Sequence, residues 1–252
     1  MNRKNRNKPK PLPGNGVGCC RLCLRQTELC DSHIIPEFLY SKMYDDKHRF
    51  IAMSADPRRA DRFLQKGLSE KLLCKDCECK FSTNENYARG IFFGGARFST
   101  VCEPGLMKLA EVDYRKFRLF ELSLLWRMGV SADAFFADVC LGPFEEDLRV
   151  KLLKDDIGQP LQFPCAITKV LLQGKPMNIL LAPDRVKLYG QTCYRMVIAG
   201  FLFMLFVSKT PPPAEGLEYF GKSDGTRFLH VAELSDIPFL KDACLGLWAT
   251  MN

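Results

Sequence analysis

The chain has 252 residues, 47% of them apolar and 26% charged, with a formal net charge of +7. These proportions support a packed core and exclude a wholly disordered chain, a collagen-like fibre or a coiled coil. The longest apolar run, residues 196–207, is too short to cross a bilayer. The basic N-terminus has no apolar run behind it, so neither a secretory leader nor membrane contact is expected.

The charge is uneven along the chain. Residues 1–100 carry 19 Lys and Arg against 11 Asp and Glu, whereas residues 101–252 carry 17 against 18. A cation excess confined to one region fits a footprint for polyanions such as nucleic acid and fits equally a solvated surface with a basic tail. Seven of the 12 cysteines lie in that same region. The others, Cys102, Cys140, Cys165, Cys193 and Cys244, are scattered among mostly apolar neighbours and read as small buried hydrophobes. A reducing, cytoplasmic setting is therefore expected, in which clustered thiols indicate metal rather than disulfides.

In chain order, residues 1–18 read as a disordered basic tail, with Arg3, Lys4, Arg6, Lys8 and Lys10 in it. Residues 19–100 form a compact cysteine-rich module with a short strand at 50–53, ending soon after Gly94-Gly95. Residues 101–252 form an α+β accessory domain that carries no known motif. A long helix is expected over 106–128, because Phe117, Phe120, Leu124 and Met128 recur at helical spacing; Gly129 ends it. Ser131 is expected to cap a second helix over 132–140. A third helix covers 144–154, with Glu145, Glu146 and Asp147 in its first turn. Strands are expected at 161–173, 177–182 and 186–189, separated by turns at 174–176 and 183–184. Residues 193–208 fit a helix or a strand pair equally, and a stiff break follows at Pro211-Pro212-Pro213. A weak strand spans 219–231, and the C-terminus has no clear pattern.

The chemistry lies in two C-x2-C pairs, Cys20-Arg-Leu-Cys23 and Cys74-Lys-Asp-Cys77. Each pair offers two thiolates from one tight knuckle, and two knuckles supply a closed tetrahedral zinc site. The 50 residues between Cys23 and Cys74 make an entropically costly loop. Metal binding, on the order of 10 kcal/mol, offsets that cost. Cys19, Cys30 and Cys79 are spare; Cys19 replaces Cys20 only with a wider knuckle.

Between the knuckles stands Asp31-Ser32-His33-Ile34-Ile35-Pro36. A first C-x2-C, a histidine before Ile-Ile-Pro, and then Leu-Leu-Cys-x2-Cys resembles the HNH (ββα-metal) nuclease family over about residues 20–90. The resemblance implies an α+β fold: a zinc-stabilised ββα-metal module followed by a helical and β-containing C-terminal domain. It implies a structural zinc on Cys20, Cys23, Cys74 and Cys77, and His33 as the general base against a phosphodiester. It also implies a separate divalent metal, Mg²⁺ or Mn²⁺, that needs at least one hard oxygen ligand. By analogy, such an enzyme suits defence or mobile-element biology.

The sequence departs from the family pattern. Ser32 stands where an acidic residue or histidine is usual, and Glu78 where Asn or His is usual. The carboxylate missing at Ser32 is expected to reappear at Glu78, the candidate ligand and catalytic residue. Glu85, close to two helical turns on, faces the same way as a second-rank candidate. Arg58, Arg59 and Arg62 are candidate phosphate clamps, with Asp56 and Asp61 interleaved. His48 and His230 read as surface and structural residues, and Phe92, Phe93 and Phe98 as a seal toward the following domain. Two functions compete: a metal-dependent endonuclease acting on DNA, and a non-catalytic zinc module that binds nucleic acid or a protein.

Overall fold

The computed structural model describes residues 16–54, 56, 59–94, 98–100, 105–109, 111–208 and 217–251. Most of the basic tail, Arg58, Gly95, Cys102 and the prolines at 211–213 lie outside the described residues. The elements of the first hundred residues are β1 (Val17–Cys19), β2 (Gln26–His33), α1 (Glu37–Tyr40), β3 (Phe50–Met53), β4 (Arg62–Leu64), β5 (Ser69–Cys74), α2 (Lys75–Phe93) and β6 (Phe98–Thr100). Then come β7 (Leu106–Leu109), α3 (Tyr114–Val130), α4 (Phe144–Lys154), β8 (Cys165–Leu172), β9 (Lys175–Pro176), β10 (Leu180–Leu188), β11 (Gln191–Ile198), β12 (Phe201–Val207), β13 (Arg227–Glu233) and α5 (Pro238–Met251).

A three-stranded sheet, β1-β2-β5, holds the cysteine knuckles, and α2 leaves directly from the end of β5. A ten-stranded sheet runs β4-β3-β10-β11-β12-β8-β13-β7-β6, with β9 paired to β8. β3 enters it parallel to β10, with Ala52 opposite Leu180. The segment between the two cysteine pairs therefore contributes strands to the sheet of residues 101–252, and the boundary at residue 100 does not divide the sheet.

The large sheet is covered on both faces. On β12, Phe203 and Leu205 face the main core with α3, while Leu202 faces Leu240 and Cys244 of α5. This alternation follows from the two-residue period of a strand. Helix α3 is buried all round from Phe117 to Val130. It passes between the sheet and helices α2 and α4, so one main core joins the knuckle region to the rest. Its buried charges are compensated. Glu121 meets Arg118 at 3.3 Å and Arg227 at 2.6 Å. Arg118 also donates to the carbonyls of Phe163 and Gln162.

Several expected elements differ. Helix α3 starts at Tyr114 rather than 106: Asp113 caps it by accepting from Lys116 N at 3.0 Å, and Leu106–Leu109 pairs with β13 instead. It also runs one residue past Gly129, which is there for packing. A Cβ at that position would lie 2.1 Å from Leu141 Cδ1. In place of a helix over 132–140, Ser131 and Asp133 each cap their own i+2 backbone N–H, leaving a short 3-10 turn at Ala134–Phe136. The two strands expected at 177–189 are one, β10. It passes through Pro183 at a register shift, where a residue without an N–H is tolerated. Residues 193–208 resolve as a strand pair, and the C-terminus is α5.

Candidate metal centre and histidine site

The first knuckle turns between β1 and β2. Leu24 N donates to Cys20 O at 2.8 Å, and Leu24 takes a left-handed conformation (φ 61°) that closes the loop. The second knuckle straddles the start of α2: Cys74 is its N-cap residue and Cys77 lies in its first turn. Antiparallel pairing of β2 with β5, Leu29 opposite Cys74, brings the two together. The sulfurs of Cys20, Cys23, Cys74 and Cys77 all lie within 4.8 Å of one another. Such a cluster can hold a metal ion, and four thiols suit zinc. Cys19 Sγ points to Leu24 O instead, so Cys20 takes the ligand position. No disulfide joins the described cysteines.

Burial raises the thiols of Cys20 and Cys77 above the ordinary range, and for Cys77 the neighbouring Cys74 thiol adds to the effect. Burial opposes ionisation at Cys23 as well. There the Arg25 hydrogen bond at 3.4 Å helps to outweigh it and brings the thiol down to about 6. Thiols packed this closely resist joint ionisation until a cation neutralises them, so metal uptake releases protons and weakens as pH falls. Arg25 also bonds Asp76 at 2.7 Å. Arg149 of α4 donates to Leu22 O, inside the first knuckle, at 2.6 Å.

β2 ends at Ser32 and His33, whose side chains leave on opposite faces. Ser32 is fully buried. Its hydroxyl donates to Glu78 Oε2 at 2.7 Å and accepts from Leu73 N at 3.2 Å. The residue lacking a carboxylate thus lies directly against the residue carrying one. His33 faces the half-exposed side, where Nε2 lies 2.8 Å from Glu37 Oε2. His33 and Glu78 are therefore neighbours through the strand, each with its own partner. Glu85 looks to the same strand end, but its Oε1 is held by Arg127 Nη2 at 2.6 Å; Arg127 Nη1 donates to His33 O at 2.7 Å.

Comparison with protein-family models, with curated proteins and with solved structures gave no match to this chain.

Arg59 lies 3.3 Å from Asp138, which takes up part of its charge, and Arg62 is exposed on β4. His48 is exposed and stacks on Tyr44, and His230 is exposed against Tyr219. Phe92 and Phe93 pack on Phe201, at the junction with the large sheet. A half-open groove of about 670 Å³ runs along β2 and the start of α2, with Arg25, Lys71 and Lys75 among its lining. No helix among the described residues is long and apolar enough to cross a membrane.

Sequence reasoning missed Glu37, Arg127 and Arg149. The His-x3-Glu spacing of His33 and Glu37 was a usable signal, although Pro36 breaks any helix between them. Arg127 and Arg149 come from distant helices, and no local pattern points to them.

Proposed function

We propose that the protein is an HNH-like endonuclease that hydrolyses phosphodiesters in DNA, with His33 as general base and the four-cysteine zinc as a structural pin. The observation carrying this reading is the half-exposed His33 imidazole, 2.8 Å from a carboxylate, at the end of a strand clamped by the cysteine cluster. A base must be both reachable and oriented, and an imidazole titrates close to neutral pH.

One carboxylate and one hydroxyl, Glu78 and Ser32, are too few to cage Mg²⁺ or Mn²⁺ alone. Mg²⁺ commonly binds through one or two carboxylates plus substrate phosphate and water, which is what Glu78 would offer. Bound there, the ion would stabilise charge on the leaving oxygen. Ser32 orients the Glu78 carboxylate, and His33, on the other face of the same strand end, takes the proton of the attacking water. The exposed pairs Arg25–Asp76 and Lys71–Asp31 are worth little and exchange for phosphate contacts at small cost. Changing Lys71 and Lys75 to Ala should weaken DNA binding and lower its salt slope by about one per lost contact, read by titration at several ionic strengths.

The deciding experiment is plasmid cleavage with Mg²⁺ or Mn²⁺. Wild type should nick DNA, and His33→Ala should lose about 10²–10⁴-fold in rate. Equal nicking by both, or none by either, overturns the enzyme reading. The Ser32–Glu78 hydrogen bond favours a second reading, a zinc module that binds without cutting, because it already occupies the Glu78 carboxylate. Under that reading DNA binding persists without cleavage and is indifferent to Mg²⁺.

A further inference from the structure

We propose that Glu37 is the positioning residue of His33: it holds Nε2–H so that Nδ1 is left bare to take the proton of the attacking water. This rests on the hydrolytic reading above and adds a residue to it.

The contact is built into the fold. After β2 the chain is fixed by Ile34 and Ile35, both buried, and by Ile34 N donating to Leu68 O at 2.9 Å. Pro36 then turns the chain into α1, which begins at Glu37 and returns its carboxylate to the imidazole. The Tyr44 hydroxyl lies beside the same carboxylate: burial, and then the Glu37 charge, raise it above its ordinary range. Gly67 forms the wall beneath. A Cβ there would lie 3.0 Å from Glu37 Oε2 and 2.6 Å from a ring carbon of Tyr40. Tyr40 is itself fixed, accepting from Leu68 N at 3.1 Å. From the other side, Arg127 holds the His33 carbonyl. The imidazole is thus fixed at one nitrogen while the ring stays partly open to water.

The chemistry follows from which nitrogen is engaged. With a carboxylate oxygen 2.8 Å from Nε2, a hydrogen at Nε2 is favoured over a bare lone pair facing that charge, and the neutral ring then presents the Nδ1 lone pair. Water gives a proton to Nδ1 as its oxygen bonds to phosphorus. The bond from phosphorus to the leaving oxygen breaks with its electron pair, and that oxygen is protonated by solvent. Glu37 offsets the charge of the imidazolium until the proton returns to solvent. This is the base-plus-orienter arrangement of nucleophilic sites applied to water activation.

The test uses full-length, zinc-loaded protein labelled with ¹⁵N-histidine. With three histidines in the chain, His33 is assigned by comparison with His33→Gln. Long-range ¹H–¹⁵N spectra above the titration of a free imidazole should show His33 as the Nε2–H tautomer. In Glu37→Ala they should show a mixture of tautomers, and in Glu37→Gln, whose amide oxygen still accepts, the Nε2–H form again. On DNA, Glu37→Ala should lower kcat about 10- to 100-fold with little change in KM, less than loss of the base itself, and Glu37→Gln should recover part of it. Tyr44→Phe, which leaves Glu37 and His33 intact, should give a smaller fall in kcat and keeps the test open should Glu37→Ala not fold. An Nδ1–H tautomer in the wild type, or spectra and kcat untouched by Glu37→Ala, overturns the proposal. The spectra need no substrate. A tautomer set by Glu37 in a protein that cuts nothing overturns the hydrolytic reading and keeps the contact.

Discussion

At the residue scale, Arg127 does most to join distant parts of the chain. It is buried on α3, lies over the Phe81 ring, ion-pairs with Glu85 and holds the His33 carbonyl. Removing one partner of a buried pair leaves the other charged and dry, at a cost of about 3–5 kcal/mol. Arg127→Ala should therefore destabilise the fold by about that much, read from the denaturation midpoint. Arg127→Met combined with Glu85→Gln should lose less than the two changes summed, because the lone charge is then absent. The cysteines were legible from spacing alone, since a C-x2-C knuckle is a local geometry. Glu37 was half legible, four residues from His33. Arg127 was not, because the carbonyl it bonds lies 94 positions away and only the tertiary fold brings them together.

At the element scale, legibility followed how local each signal is. Helix α4 matched its expected bounds, because its Gly-Pro entry and acidic first turn are read within a few residues. β11 and β12 stayed ambiguous between helix and strand pair because both are apolar on both faces; only the turn distinguishes them. That turn is Ala199–Gly200, both at positive φ (53° and 81°), and the same device recurs at Gln173–Gly174 and Tyr189–Gly190. Such turns match the twist of paired strands and are readable from an X-Gly dipeptide between apolar runs. Helix α3 was placed too early because its apolar spacing continues into β7; the cap at Asp113 marks the true start. Asp113 is held below the usual carboxylate range, chiefly by the Lys116 backbone N–H and further by the Lys116 ammonium. Its stabilisation is then fully present above the unfolded-state value, about 3.9, and lost as pH falls through the lower folded value. Asp113→Ala should cost about 1 kcal/mol near neutral pH, with the difference from wild type vanishing in acid. Unfolding curves across that pH range measure it.

At the scale of the whole molecule, the metal centre and the large sheet share one core. α2 starts in the second knuckle and its Phe81 meets Trp126 of α3 edge-on at 6.2 Å. Arg149 reaches from α4 into the first knuckle, and Lys80 of α2 bonds Leu153 O at the end of α4 at 2.6 Å. β3 and β4, from the loop between the knuckles, extend the sheet at its β10 edge. A domain that held zinc independently would lose it without disturbing residues 101–252. Here the four thiols that can gather an ion also anchor α2, so loosening them exposes the face of α3 on which α2 packs. The free energy of binding a structural zinc, on the order of 10 kcal/mol, rivals the net stability of a whole domain, about 5–15 kcal/mol. Chelating the metal, or changing Cys74 and Cys77 to Ser, should therefore lower the unfolding temperature of the entire chain rather than melt one part. Trp126 is the reporter. In a Trp248→Phe background its fluorescence should shift to the red on chelation, in a single transition that coincides with loss of far-ultraviolet ellipticity. A chelated protein with unshifted Trp126 emission and an unchanged unfolding temperature would show that the four sulfurs gather without the fold depending on their ion.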